Sequence, residues 1–133
     1  MSKSEHRAAK IATNDRIEGW NVWRDCAFAM AAPRKNALPR ETYMASALDA
    51  LLQMSPAARA AMEPAYWAAR QRVNELQVAE EHDKAVLYAW YMVNDCEREV
   101  ARCREHGWDK MEACALRSLE VWREKLRNLE VER

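Results

Sequence analysis

The stretch Ala85-Val-Leu-Tyr-Ala-Trp-Tyr-Met-Val93, continued by Asn94 to His106 and broken at Gly107-Trp-Asp109, decides how this chain is read. Leu87, Trp90, Val93, Cys96, Val100 and Cys103 step by three or four residues, the period of one helix face. Gly107 stands where a helix ends on a left-handed residue. Asp109 then suits the cap of a second helix, whose stripe is Met111, Ala115, Leu119, Trp122, Leu126 and Leu129. Two arrangements satisfy this order. In a helix-turn-helix the second helix crosses the first and offers its leading end to a DNA groove. In an antiparallel helical hairpin the two stripes close on each other along their length. The same spacing allows 82–106 to be one helix or two with a kink near Asn94-Asp95.

Upstream, residues 1–12 read as a polar tail. Thr13-Asn14-Asp15 offers cap chemistry for a first helix carrying Ile17, Trp20, Trp23, Ala27 and Met30 on one face. Pro33 to Pro39 is a basic linker. Pro39 suits a helix start, and Met44, Ala47, Leu48, Leu51 and Leu52 form the next stripe. Ser55-Pro56 starts a short third helix, and Pro64 opens another carrying Trp67, Val73 and Leu76. The polar run Gln77 to Lys84 is expected to hold a bend or weak spot. The organisation is a single all-helical domain over 13–133, with 82–131 as its C-terminal hairpin or helix-turn-helix part.

Composition agrees. Half of the 133 residues are hydrophobic, and only two glycines and four prolines occur. Helix formers therefore dominate, and β-branched residues are too scattered for strands. The expected class is all-α, a compact multi-helix domain. Lys plus Arg and Asp plus Glu are 21 each, a net charge of zero. That counts against a protein that holds nucleic acid mainly through phosphates. From Glu97 to Arg127 there are eight Lys/Arg against seven Asp/Glu, 8 − 7 = +1. No apolar run approaches the roughly 18 residues of a membrane span. The N-terminus is polar and carries no signal peptide, so the four cysteines are expected reduced, in the cytoplasm.

Cys96, Cys103, His106 and Cys114 cluster in the sequence and could supply Cys₃His zinc ligands. The Cys-x₂-Cys knuckle is missing, and Cys96 and Cys103 fit the apolar stripe, where free cysteine acts as a small hydrophobe. Core packing is the preferred reading, with no metal and no cofactor. Glu80, Glu81, His82 and Asp83 read as a solvated charge run. No phosphate loop, His-Glu-x-x-His motif or nucleophile elbow occurs, so no enzyme is expected. Among six tryptophans, Trp67, Trp90 and Trp122 are assigned to the core. Trp108 follows the turn glycine, and Trp20 and Trp23 share a face; these three are the candidate partner-binding residues. If the C-terminal unit is a helix-turn-helix, Arg98, Arg102 and Arg104 on the supporting helix and Lys110 and Arg117 on the second are the candidate DNA contacts.

The C-terminal half resembles the small Q-type antitermination proteins of lambdoid phages. The likeness rests on Trp20 and Trp23 in Ile17-Glu-Gly-Trp-Asn-Val-Trp23, on Val73-Asn-Glu-Leu76 with Val86 to Met92, and on Arg98-Glu-Val-Ala-Arg102 as supporting helix. Met111 to Leu126 would be the recognition helix of a sigma-region-4-like helix-turn-helix. The resemblance covers roughly residues 73–126 and the tryptophan pair. It implies a phage regulator of late transcription in a bacterial host cell, touching promoter-proximal double-stranded DNA and held by host RNA polymerase. The alternative is a small helical protein-interaction module, such as a phage inhibitor of a host or defence complex, with no DNA role. A third reading is a structural protein built on the hairpin. The sequence leaves the oligomeric state open.

Overall fold

A computed structural model describes residues 2–132. All of its regular structure is helical: α1 (Lys3–Met30), α2 (Arg40–Leu52), α3 (Pro56–His106) and α4 (Asp109–Val131). Among the described residues no helix is long and apolar enough to cross a membrane. Packing divides the chain into two compact units, Met1–Gln77 and Val78–Arg133. The first contains α1, α2 and the beginning of α3. The second contains the remainder of α3 and all of α4.

Helix α1 begins ten residues earlier than expected. The polar segment read as a tail is helical from Lys3, because Ser2-Lys-Ser-Glu5 forms a capping box. The Glu5 N–H donates to the Ser2 hydroxyl at 3.2 Å, and the Ser2 N–H donates to the Glu5 carboxylate at 2.9 Å. That reciprocal pair satisfies two of the donors a helix start leaves open. The side chains from Ser2 to Asn14 are all exposed.

The core of the first unit is built from small and medium residues. Val22, Cys26 and Ala29 of α1 meet Met44, Ala47, Ala50 and Leu51 of α2, with Met54, Tyr66, Ala69 and Val73 completing the cluster. The apolar α1 face marked in the sequence, Ile17, Trp20, Trp23, Ala27 and Met30, lies outside this core. Val22, Cys26 and Ala29 also recur at helical spacing, and their small side chains let the helices approach closely; a tryptophan there would hold them apart. On α2, Leu48 and Leu52 of the expected stripe likewise face solvent.

Polar groups lock this unit together. Buried Asp25 accepts from the Ser46 hydroxyl at 2.6 Å and from Arg24 Nε at 3.3 Å. The Arg40 guanidinium donates to the Ala29 and Ala31 carbonyls at 2.6 and 2.7 Å, closing the end of α1. Arg70 of α3 grips Glu41 of α2 with two bonds of 2.7 and 2.5 Å. Asp15 accepts from the Ser55 N–H at 2.7 Å and the Ser55 hydroxyl at 2.5 Å, fixing the entry to α3.

These contacts fix the acid response. The Ser55 hydrogen bonds hold the Asp15 carboxyl below its ordinary range, and the Arg70 hydrogen bond does the same for Glu41. Both are lowered, so their stabilisation is complete above the ordinary carboxylate range of roughly pH 4 to 4.5. It drains away as the pH falls through the lowered folded values. We expect the melting temperature to hold steady down to about pH 5 and drop below it. Asp15→Asn with Glu41→Gln should lower the plateau and flatten the acid limb, as read by calorimetry across pH.

Helix α3 runs unbroken through two places where an interruption was expected. Pro64 does not start a new helix; it lies inside α3. An interior proline removes a helix hydrogen bond and costs about 3 kcal/mol. Packing of Met62, Tyr66 and Ala69 into the core on either side holds the helix through it. The polar run 77–84 stays helical as well, with the division between the two units at Gln77/Val78; Gln77, Glu80, Glu81 and Lys84 are good helix formers. Residues 82–106 are therefore one helix, without a kink assigned at Asn94-Asp95.

In the second unit α3 and α4 form the antiparallel hairpin, the second of the two expected arrangements. Ala89, Val93, Cys96 and Val100 close against Ala115, Leu119 and Leu126, with Val86, Trp122 and Leu129 packed alongside. Contacts recur from Arg104–Glu112 near the turn, through Glu97–Arg123, to Tyr88–Trp122. A steep helix-turn-helix crossing would bury about one turn of each helix, not a seam of several. The helix-turn-helix expectation is thus corrected. Its cause is visible in the spacing: 89, 93, 96, 100 and 103 follow a seven-residue repeat that favours lengthwise packing. Gly107 is the turn residue, as expected, but Asp109 does not cap α4: it is the first helical residue, behind Trp108 at the N-cap with no side-chain cap bond. Gly107 has φ 70°. The Trp108 N–H donates to the Cys103 carbonyl at 2.9 Å and the Gly107 N–H to the Arg104 carbonyl at 3.3 Å, a Schellman closure.

Candidate interaction surfaces

On α1 the outward stripe is Thr13, Ile17, Trp20, Trp23 and Ala27. Trp20 and Trp23 are 58% and 61% exposed, and their rings stack at 5.2 Å between centroids. At 100° per residue Trp20 points almost opposite to Val22 and Cys26, the side on which α1 meets the core. Arg16 and Arg24 stand one turn to either side of Trp20 on this face. Asp15, Glu18 and Asp25, the carboxylates between positions 13 and 27, lie on the core-facing side, so the rim of the tryptophan stripe carries cations. Of these cations, Arg24 also pairs with Asp25 at 3.3 Å.

Two further aromatic exposures were missed from the sequence. Trp67, assigned to the core, is 60% exposed; Tyr66 takes the buried position beside it, and the two rings meet edge-on at 5.1 Å. Trp90 is likewise outside, at 47%, with Leu87 and Tyr91 exposed on the same side of α3. The signal was in the phase: Leu87 and Trp90 were placed in the seam stripe, whereas Val86 and Ala89 are the residues that continue 93, 96 and 100 at strict heptad spacing. Trp122 is half-buried against the hairpin core.

Trp108 is partly exposed and clamped at the turn. The His106 ring stacks on it at 4.5 Å, and the Arg102 guanidinium lies 5.8 Å from its ring centre. It therefore braces the hairpin turn from outside.

The five candidate DNA contacts do not gather on one face. Arg102 pairs with Glu99 at 2.8 Å, which, with its hydrogen bond, raises the guanidinium above its already high range. Arg104 is engaged by Glu112. Arg104 lies beside Leu116 and Arg123 on one edge of the hairpin, while Lys110 lies beside Glu99 and Met111 on the other. Arg117 donates to the Cys114 sulfur at 3.1 Å. Arg98 is exposed on the outer side of α3.

The four cysteines do not converge on one point. Cys96 and Cys103 are buried in the hairpin seam and Cys26 in the first unit, and Cys114 is exposed. Among the described residues no three His, Cys, Asp or Glu side chains converge as metal ligands. Burial pushes the thiols of Cys26, Cys96 and Cys103 up, as for cysteine packed as a small apolar group. An open groove of about 820 Å³ runs along Lys10, Ile11, Asn14 and Ile17 to Met54 and Pro56. The hydrogen-bonded pair Asp15 and Ser55 is part of its lining.

No protein-family model, curated protein or solved structure matches this chain.

Proposed function

We propose that this chain is a helical protein-interaction module that docks a protein partner on the tryptophan face of α1. The observation that carries the reading is the inversion on that helix: small residues pack inward while Trp20 and Trp23 stack in solvent. Each ring leaves about 100 Å² or more of apolar surface in water, and burying it would contribute roughly 3 kcal/mol. Tryptophan and arginine are the residues that most often dominate binding energy at interfaces. The arginine rim selects a partner surface that is apolar at its centre and acidic at its edge. Four free cysteines without a disulfide suit a compartment that keeps thiols reduced.

The antitermination reading shares the tryptophan pair and a protein partner, host RNA polymerase, but adds promoter-proximal DNA. A hairpin gives α4 no free leading end, and Arg102 and Arg104 already have carboxylate partners. The module without a DNA role is therefore the reading we hold. Purified chain should show no salt-dependent affinity for duplex DNA at low ionic strength, where a phosphate-binding protein binds most tightly. In capture from the host cell, one protein complex should be retained by the native chain. Trp20→Ala with Trp23→Ala should lose it by at least about a hundredfold while keeping its helical signal. Equal retention by both chains, or steep salt-dependent DNA binding, would return the argument to the alternatives.

A further inference from the structure

Helix α1 begins well before its first tie to the rest of the unit. From Lys3 to Thr13, roughly 16 Å of helix, every side chain is exposed. Among the described residues no hydrogen bond or ion pair joins this run to another element. The first tie is Asn14, whose side-chain amide donates to the Gln53 carbonyl at 3.0 Å, followed by the Asp15–Ser55 pair. The open groove of about 820 Å³ lies between this run and the connection from α2 to α3. Its apolar lining is Ile11, Ile17, Met54 and Pro56, with Ile11 and Ile17 46% and 53% exposed. Arg7 and Lys10 line it as well. With Lys3 they follow the i, i+4, i+7 spacing and fall within about 60° on one side of the helix.

We propose that this groove takes an acidic amphipathic helix of a protein partner. Its apolar face would lie on Ile11, Ile17, Met54 and Pro56, and its carboxylates along Lys3, Arg7 and Lys10. Charge chooses the occupant. Among the described residues Lys3, Arg7 and Lys10 have no ion-pair partner. The carboxylates around them are engaged or turned away. Asp15, in the lining, accepts from the Ser55 N–H and hydroxyl at 2.7 and 2.5 Å. Glu5 is held by the Ser2 N–H at 2.9 Å and stands on the opposite side of the helix from Arg7 and Lys10. Glu18, a turn beyond Asn14, accepts from the Asn21 amide at 3.4 Å. Arg59 of α3 adds another cation behind the connection, donating to the Leu52 and Met54 carbonyls at 3.2 and 3.3 Å. The groove therefore offers free positive charge and no free negative charge. A second copy of the chain is a poor occupant, since a two-fold contact sets the same cations against each other. A nucleic-acid backbone meets the cations but leaves the apolar lining in water. An acidic amphipathic helix satisfies both. It also supplies the packing that the first three turns of α1 lack, and short helices without tertiary contacts are marginal in water. The site uses neither Trp20 nor Trp23 and stands apart from the docking face proposed above; Ile17 alone borders both.

The probe is a labelled peptide of about 20 residues with leucines on one helical face and glutamates on the other, followed by fluorescence anisotropy with the full chain at low salt. We expect saturable binding with a Kd below about 100 µM. The same peptide with lysines for glutamates should bind at least about tenfold more weakly. Ile11→Glu should weaken the glutamate peptide at least about tenfold. Arg7→Glu with Lys10→Glu should reverse the preference between the two peptides. All three positions are exposed, so the variants should keep the helix content and melting temperature of the native chain. No saturation up to about 1 mM, equal affinity for the two peptides, or indifference to Ile11→Glu overturns the proposal. So does loss of the peptide on Trp20→Ala with Trp23→Ala, which would place it on the tryptophan face. An oligonucleotide that binds more tightly than the peptide, and is lost from the Arg7 and Lys10 variant, would make the groove a nucleic-acid site instead.

Discussion

Met44→Ala should lower the stability of the first unit by about 2–5 kcal/mol, the range for truncating a fully buried long apolar side chain. Met44 is 1% exposed and sits where α1, α2 and α3 meet. Around it Ala29 and Ala47 have no side chain long enough to collapse into the space left behind. The cost therefore includes the cavity as well as the lost transfer free energy. The contrast is with Trp20→Ala and Trp23→Ala, which remove far more apolar volume. Their rings touch each other and solvent, so the double variant should shift stability by no more than about 1 kcal/mol. Urea unfolding of the three chains measures both. A large loss from the tryptophan variant and a small one from Met44→Ala would mean that α1 is turned over, with its aromatic stripe inside.

Val100→Asp should cost about 3 kcal/mol or more in the second unit, because it buries a carboxylate in the hairpin seam with no partner. Val100 is 5% exposed and lies between Cys96 and Cys103 on the seam face, opposite Leu119. The same substitution at Ala101, one residue on and exposed, should shift stability by about 0.5 kcal/mol. Amide exchange resolves the two units, so loss of protection confined to 86–129 is the expected signature. Loss of protection in α1 and α2 instead would show that the units are not separately stabilised.

Most of the helical content was legible in the sequence because its physical signals are local. Gly107 announced its turn, since few other residues take φ near 70° without strain. Ser55-Pro56 announced the start of α3. The capping box at Ser2 to Glu5 is equally local, but no apolar stripe follows it to mark a helix. Two other features depended on competition between distant segments. Pro64 and the polar run at 77–84 look like breaks when viewed alone, and the helix persists because packing around Met62 and Tyr66 and strong helix formers outweigh them. The side on which α1 packs could not be read from hydrophobicity, since it offers two apolar stripes and the one with larger residues stays outside. Steric fit between Ala29 and Ala47 settles that choice, and steric fit is a property of pairs. For the same reason Trp67 and Trp90 were misplaced: each neighbours a residue, Tyr66 or Ala89, that occupies the buried position. Trp20 and Trp23 were picked out correctly as a pair sharing a face. Their exposure, on which the proposed docking role rests, comes only from the packing.

The lengthwise antiparallel course of α3 and α4 separates a docking module from a groove reader, and one distance tests it. Spin labels at Leu87→Cys and Glu130→Cys, on a chain with its native cysteines replaced and diluted with unlabelled protein, report the span between the open ends of the two helices. Each end lies about 30 Å from the Gly107 turn along its helix. Side by side, the labels should fall within roughly 20 Å of each other. Helices crossing at 90–120° would hold them about 40–50 Å apart, and that reading would contradict the account.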